Sequence, residues 1–311
     1  MSIKPDTKIK VVGVGGSGGN GVSRMMKCNI KGVELVAINA DAQDLQRAKA
    51  HSKVRIGRNL TKGLGTGMNP DIGRAAAEEQ KEEIEKVLRG ADMVFIACGL
   101  GGGCGSGASS VVAEIAKKSG ALTLAIVTTP FSFEGIQRSE IAQDSLKRLK
   151  GKVDTLIAIS NDKLLSVLEP KTTIINAFWY CDEILMQAVQ GISDLIVLPG
   201  IINIDFADVK AIMKDSGSAL FGIGKARGPE RAREAAKKAL NSPMLDLSCK
   251  GAKGVLFNIS GGKDISLTEI DEAAKVITQE VSKDARVIFG AIQDEKLSKG
   301  EIKVTVIATG F

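Results

Sequence analysis

Two hydrophobic rhythms alternate along the first half of this chain. Short, continuous apolar runs rich in β-branched residues occur at Ile9–Val14, Val33–Asn39, Met93–Cys98, Leu122–Thr128 and Thr155–Ser160, and each has the length of a buried strand. Between them, apolar residues recur every three or four positions. That spacing predicts helices over Asn69–Arg89, Ser106–Ser119 and Gly135–Leu149, and one opening near Asn20. Strands alternating with helices predict an α/β fold with a Rossmann-like, doubly wound parallel sheet, whose ligands bind beyond the carboxyl ends of the strands.

A long helical pattern follows from about Thr173 to Leu195, with Ile174, Phe178, Leu185, Val189 and Ile192 at near-helical spacing, and it stops at Pro199-Gly200. Beyond it, strands are expected at Ser218–Ile223, Gly254–Ser260, Arg286–Ala291 and Ile302–Ala308, with helices at Pro229–Leu240 and Leu267–Val281. The two regions are therefore joined by a helix rather than by a linker.

Glycine punctuates the first region at two strand ends. Gly13-Val-Gly-Gly-Ser-Gly-Gly19 follows the first strand, and Gly99-Leu-Gly-Gly-Gly-Cys-Gly-Ser-Gly107 follows the third. A backbone without Cβ atoms curls tightly enough to bring its N–H groups onto an anion, and the next helix adds the positive end of its dipole. Two such segments in one α/β domain point to a nucleoside di- or triphosphate. Neither contains the Gly-Lys-Ser/Thr ending of a P-loop, so that mechanism is excluded. The first segment alone fits a dinucleotide fingerprint with Asp41 as the ribose acid, but a dehydrogenase reading leaves Gly101–Gly107 unexplained.

Composition narrows the chemistry. The 311 residues are 44% hydrophobic and 25% charged, the profile of a globular protein with room for two cores. No apolar run reaches the roughly 18 residues of a membrane span, so no integral membrane segment and a cytoplasmic location are expected. The single histidine, His51, excludes a histidine triad or a multi-histidine metal centre, and the five cysteines have neither zinc-site nor disulfide spacing and read as reduced thiols. The net charge of +6 is spread over amphipathic helices and aromatics are only 4%, so no nucleic-acid partner is expected.

These pieces together resemble the tubulin/FtsZ superfamily, and within it the FtsZ-type GTPases of bacterial cell division. The glycine signature of that family is matched by Gly101-Gly-Gly-Cys-Gly-Ser-Gly107. Further family segments stand at Gly65-Thr-Gly-Met-Asn-Pro70, Pro130-Phe-Ser-Phe-Glu-Gly135, Asn161-Asp-Lys-Leu-Leu165, Val189-Gln-Gly-Ile-Ser-Asp194 and Val304-Thr-Val-Ile-Ala-Thr-Gly-Phe311. The resemblance implies a GTP-binding domain over residues 1–172, a central helix and the start of a catalytic loop over 173–202, and a smaller α+β domain with a mixed sheet over 203–311. It implies GTP or GDP with Mg²⁺ as ligands, the cation held mainly by phosphates and water. Gly15, Gly16, Ser17 and Asn20 would meet the phosphates, and Gly102, Gly103, Cys104, Gly105, Ser106 and Gly107 would wrap them, with Asp41, Gly67 and Asn69 in the same set. Glu134 and Arg138 would reach the ribose and phosphate, while Asn161, Phe178 and Asp182 would hold guanine. A carboxylate and an aromatic face suit guanine independently, since guanine offers an N1–H and N2–H₂ edge that adenine lacks. A core position for Phe178 and a solvated helix acid for Asp182 are the plainer readings.

In Asn203-Ile-Asp-Phe-Ala-Asp208 the two carboxylates lie three apart at a helix start. Helix capping by Asp205, with Asp208 offsetting the dipole, is the local reading. The resemblance implies more: Asn203, Asp205 and Asp208 enter the nucleotide site of the next subunit and complete hydrolysis in a head-to-tail filament serving the mid-cell division site. A relative that binds GTP without assembling is the alternative. Membrane tether and division regulators are expected only through a C-terminal tail beyond Phe311. Three positions depart from the family pattern: Cys104 and Ala40 replace threonines, and Phe178-Trp-Tyr180 is bulky. A thiol at a helix N-terminus is expected either to have a lowered pKa or simply to fill the loop.

Overall fold

The structure is a computed structural model that describes residues 7–165, 168–169, 171–242, 251–294 and 297–311; Met1–Asp6 and Cys249 lie outside it. The chain divides into two compact units, Met1–Ser193 and Asp194–Phe311.

The first unit runs β1 (Ile9–Val14), α1 (Gly15–Lys27), β2 (Val33–Asn39), α2 (Ala42–Arg47), β3 (Ser52–Arg55), α3 (Pro70–Glu79), α4 (Lys81–Leu88), β4 (Met93–Gly99), α5 (Gly103–Lys118), β5 (Leu122–Thr129), α6 (Ile136–Lys150), β6 (Thr155–Ser160), α7 (Asn161–Leu165) and most of α8 (Ile174–Val197). Its sheet has the order β3-β2-β1-β4-β5-β6, and every pairing is parallel. Parallel strands need helices on both faces, so successive residues such as Val11, Val12, Phe95 and Ile96 are all buried. On one face Val12, Val36, Ile96 and Val127 pack with residues of α3, α4 and α5, including Ala76, Ile84 and Val112.

The five strands expected in this region are present. The helix starts are not where the pattern put them, because the glycine segments are helical rather than looped. α1 opens at Gly15 instead of near Asn20, and α5 at Gly103 instead of Ser106. The reason is packing. A Cβ at Gly107 would lie 2.0 Å from the Pro70 carbonyl oxygen, and one at Gly73 would lie 2.2 Å from that of Gly103, so α3 and α5 touch backbone to backbone. The single helix expected over Asn69–Arg89 is two, broken at Gln80, whose side chain accepts from the N–H groups of Gly57 and Arg58. β3 and α2 carried too few apolar residues to register, with Val54 and Leu45 their buried positions.

The second unit holds the end of α8, then α9 (Phe206–Met213), β7 (Gly217–Arg227), α10 (Arg231–Leu240), β8 (Gly254–Gly261), α11 (Leu267–Gln279), β9 (Arg286–Gln293) and β10 (Glu301–Thr309). Its strand order is β7-β10-β8-β9, with β10 antiparallel to both neighbours and β8 parallel to β9, so the sheet is mixed as expected. Alanines of α10 and the Ile270, Ala273 and Ile277 stripe of α11 cover it. Arg231 ties the two helices together, donating to Asp264 and Glu269 at 2.6 Å each.

Candidate functional site

In the β3-β2-β1-β4-β5-β6 order the connections reverse between β1 and β4, the place where open α/β sheets leave a crevice. A cleft of about 330 Å³ opens there, at the carboxyl ends of the strands. The N-termini of α1 and α5 line it. Four other helices are capped by their own side chains, α2 by Asp41, α3 by Asn69, α9 by Asp205 and α11 by Ser266. α1 and α5 have neither a side-chain cap nor an acidic residue in the first turn. Their leading N–H groups and two positive dipole ends are thus left for an anion in the cleft. Gly15 serves this geometry twice, with φ +74° and with a Cβ position only 2.9 Å from the Gly105 nitrogen. Beneath, Gly101 N–H donates to Ser106 Oγ at 3.0 Å and fixes the approach to α5.

The walls are polar and ordered by one another. Asn39 accepts from Asp41 N–H at 3.1 Å and donates to Asp44 Oδ2 at 3.1 Å. Glu134 accepts from Phe131 N–H and from Arg138 Nη1, both at 2.9 Å. Asn161 is buried, and its Oδ1 has no hydrogen-bond partner among the described residues. An unmet buried acceptor is costly and points to a donor supplied by a ligand. Phe178 is 41% exposed, so it is not the core residue its helical spacing also allowed, and its ring meets Phe131 edge-on at 5.3 Å. Asp182 is buried rather than solvated. Burial pushes its carboxyl up to about 6, against the pull of Arg24, whose Nε lies 3.3 Å from Oδ2.

Of the residues singled out from the sequence, Gly15, Gly16, Ser17, Asp41, Gly102, Gly103, Cys104, Gly105, Glu134, Arg138, Asn161, Phe178 and Asp182 converge on this cleft. Asn20 lines an adjoining cavity of about 290 Å³ with Lys27, Arg47 and Lys49. Gly67 and Asn69 are exposed, and Asn69 spends its side-chain oxygen on the N–H groups of Asp71 and Ile72. Ser106 and Gly107 lie buried behind the cleft. Cys104 corrects one expectation: burial raises its thiol to about 11, overriding the helix end, so it is not an activated thiolate. Asn203, Asp205 and Asp208 belong to the second unit, all three exposed at the start of α9.

Sequence reasoning passed over Asn39, Asp44, Thr66 and Thr128, which also line the cleft. Asn39 and Thr128 stand at the carboxyl ends of β2 and β5, so the strand-end rule could have found them. Asp44 and Arg24 had no local signal.

Residues 8–169 match the family model of the tubulin/FtsZ GTPase domain, and residues 217–311 match that of the FtsZ C-terminal domain. The chain belongs to the tubulin/FtsZ family. Its fold superposes on an empty FtsZ dimer from M. jannaschii with a TM-score of 0.94 at 47% identity, covering 98% of this chain and 88% of that one. A GTPγS-bound CetZ2 protofilament from Haloferax volcanii superposes with a TM-score of 0.80 at 22% identity, over 97% of this chain and 92% of that one, a likeness of fold alone. The family is one of GTPases, which implies guanine-nucleotide binding. Among the described residues no cluster of three or more Asp, Glu, His or Cys side chains could hold a metal ion, and no helix is long and apolar enough to cross a membrane.

Proposed function

We propose that this chain binds GTP in the cleft between α1 and α5 and hydrolyses it when a second copy, stacked head to tail, supplies the catalytic loop. The observation that carries the reading is the pair of uncapped helix N-termini facing one cleft. The first-turn amides of Gly15, Gly16 and Ser17 and those of Gly103, Cys104 and Gly105 take the phosphates. Glu134 and Arg138, fixed to one another, take the ribose and the phosphate edge. Phe178 stacks on the base, the orphan Asn161 oxygen accepts from it, and Asp182 accepts from N1–H and N2–H₂, which selects guanine over adenine.

Among the described residues no set of side chains suits a resident cation, so Mg²⁺ would be held by phosphate oxygens and water, where it would neutralise charge developing on the leaving phosphate. Asp205 and Asp208 are exposed at the start of α9. That supports a role in a neighbour's site, where with Asn203 they would orient the attacking water and accept its proton. Leu64, Phe133, Ile136 and Ile175 are exposed large apolar residues on segments flanking the cleft-lining residues, 87%, 58%, 79% and 76% accessible. A second copy would cover them. A contact between unlike faces that does not close produces a filament, and loss of the γ-phosphate loosens it. We assign the filament to cytokinesis at the mid-cell division site in the cytoplasm. Residues 1–172 then form the nucleotide domain, 173–202 the connecting helix and loop, and 203–311 the activating domain.

The test is GTP turnover per protomer against protein concentration with Mg²⁺, read with light scattering. A shared threshold supports the assembly-completed site. Turnover that is flat on dilution would make this a GTP-binding relative that acts alone.

A further inference from the structure

The base-reading carboxylate is itself held from behind. Arg24, in the middle of α1, donates from Nε to Asp182 Oδ2 at 3.3 Å, while its guanidinium carbon lies 4.6 Å from the centre of the Trp179 ring. Trp179 and Asp182 are three residues apart on α8 and so share a face of that helix. α1 packs against the same helix, with Gly21 facing Leu185. The clamp uses two properties that only arginine combines, a directional N–H donor and a flat cation that stacks on an aromatic. Asp182 lines the cleft and Arg24 does not. The Arg24 bond is the one side-chain hydrogen bond Asp182 makes among the described residues, and it engages Oδ2 alone.

We propose that Arg24, braced by Trp179, is a positioning residue that orients Asp182 and keeps it ionised, and so sets the pH range over which guanine is recognised. The inference rests on the reading of the cleft given above. Asp182 is nearly buried, with its side chain 12% exposed, and desolvation works against its charge. Arg24 on α1 is the cation that opposes this. On α8 itself the adjacent Cys181 thiol is pushed up to about 12 by burial and stays neutral, and Glu134, which also acts on Cys181, is neutralised by Arg138. Among the described residues Arg24 is the cation that acts on Asp182, since Arg138, in the same cleft, is paired with Glu134. Contact with the Trp179 ring limits the conformations from which the guanidinium can reach Oδ2.

The experiment is GDP and ADP binding to the full chain and to Arg24→Gln, Arg24→Lys and Trp179→Ala between pH 5.5 and 8.5. Without its cation, Asp182 titrates roughly 1 to 2 units higher, so Arg24→Gln should bind GDP about fivefold to tenfold more weakly at pH 6.5 and within about twofold of wild type at pH 8.5. Arg24→Lys keeps the charge but neither the directional Nε–H nor the flat face, so it should recover part of the affinity at pH 6.5. Trp179→Ala should shift the profile in the same direction by less, and it carries the test alone if Arg24→Gln does not fold. Trp179 is the sole tryptophan, so its emission reports the state of the clamp directly in the wild type and the Arg24 variants. An equal loss at both pH values overturns the proposal that Arg24 keeps Asp182 ionised and sets the pH range. A wild type that binds GDP no better than ADP overturns the reading of the cleft instead.

Discussion

Asp205 accepts the backbone N–H of Asp208 at 2.8 Å, and this one bond distinguishes two carboxylates that look equivalent in the sequence. Both are exposed, but Asp205 is committed as the N-cap of α9, whereas Asp208 stands in the first turn. Asp208→Ala should therefore leave GTP binding within about twofold and lower turnover at least about 100-fold, the range expected for loss of a group that handles a proton. Asp205→Ala should in addition lose about 1 kcal/mol of stability through the cap. Parallel binding, turnover and urea-unfolding measurements on the two variants separate the roles, and weak binding by Asp208→Ala would show that it supports the fold instead.

Gly107 and Gly151 offer a paired test of why the glycines are there. A Cβ at Gly107 would collide with the Pro70 oxygen at 2.0 Å, whereas one at Gly151 would meet nothing within 4 Å, at a backbone φ of −80°. Gly107→Ala should cost about 3 kcal/mol by forcing α3 off α5, and Gly151→Ala should be neutral or stabilising by up to about 1 kcal/mol. Chemical denaturation of both variants checks the contrast.

The raised carboxyl of Asp182 has a signed consequence. Its folded value of about 6 stands above the ordinary 3.8, so the stabilisation from burying it neutral is complete below about 4 and lost as pH rises through 6. The guanine recognition proposed for Asp182 would run the other way, because only the carboxylate accepts from both N1–H and N2–H₂. GDP affinity should fall as pH drops through 6, approaching tenfold per unit below it, and Asp182→Asn should flatten that profile. Isothermal titration across this interval reads both.

Thiol chemistry follows burial. Cys28 is exposed, while the Cys98 and Cys181 thiols are raised to about 12 and that of Cys104 to about 11. Of these four, Cys28 alone should be alkylated by iodoacetamide within minutes at pH 7.5, as peptide mass analysis would show. Rapid labelling of Cys104 would mean that the helix end prevails over burial.

What the residue order determined by itself was everything carried by short-range pattern. Apolar runs such as Ile9–Val14 and Thr155–Ser160 are strands with those same bounds, and the glycine-rich strand ends marked where the cleft opens. The Asp205 cap was legible because donor and acceptor sit three residues apart. Tertiary structure decided what depends on distant neighbours. Whether Gly15 and Gly103 are loop or helix turns on how closely α3, α5 and the strands pack, and a local reading of glycine as a breaker misses that. The unmet oxygen of Asn161 exists only once the residue is buried. Arg24 and Asp182 are 158 residues apart, and nothing in either segment signals the other. Local periodicity follows from backbone geometry that each segment carries with it. The ionisation of a buried carboxylate depends on desolvation and on the cation the fold brings beside it, and no single segment holds both.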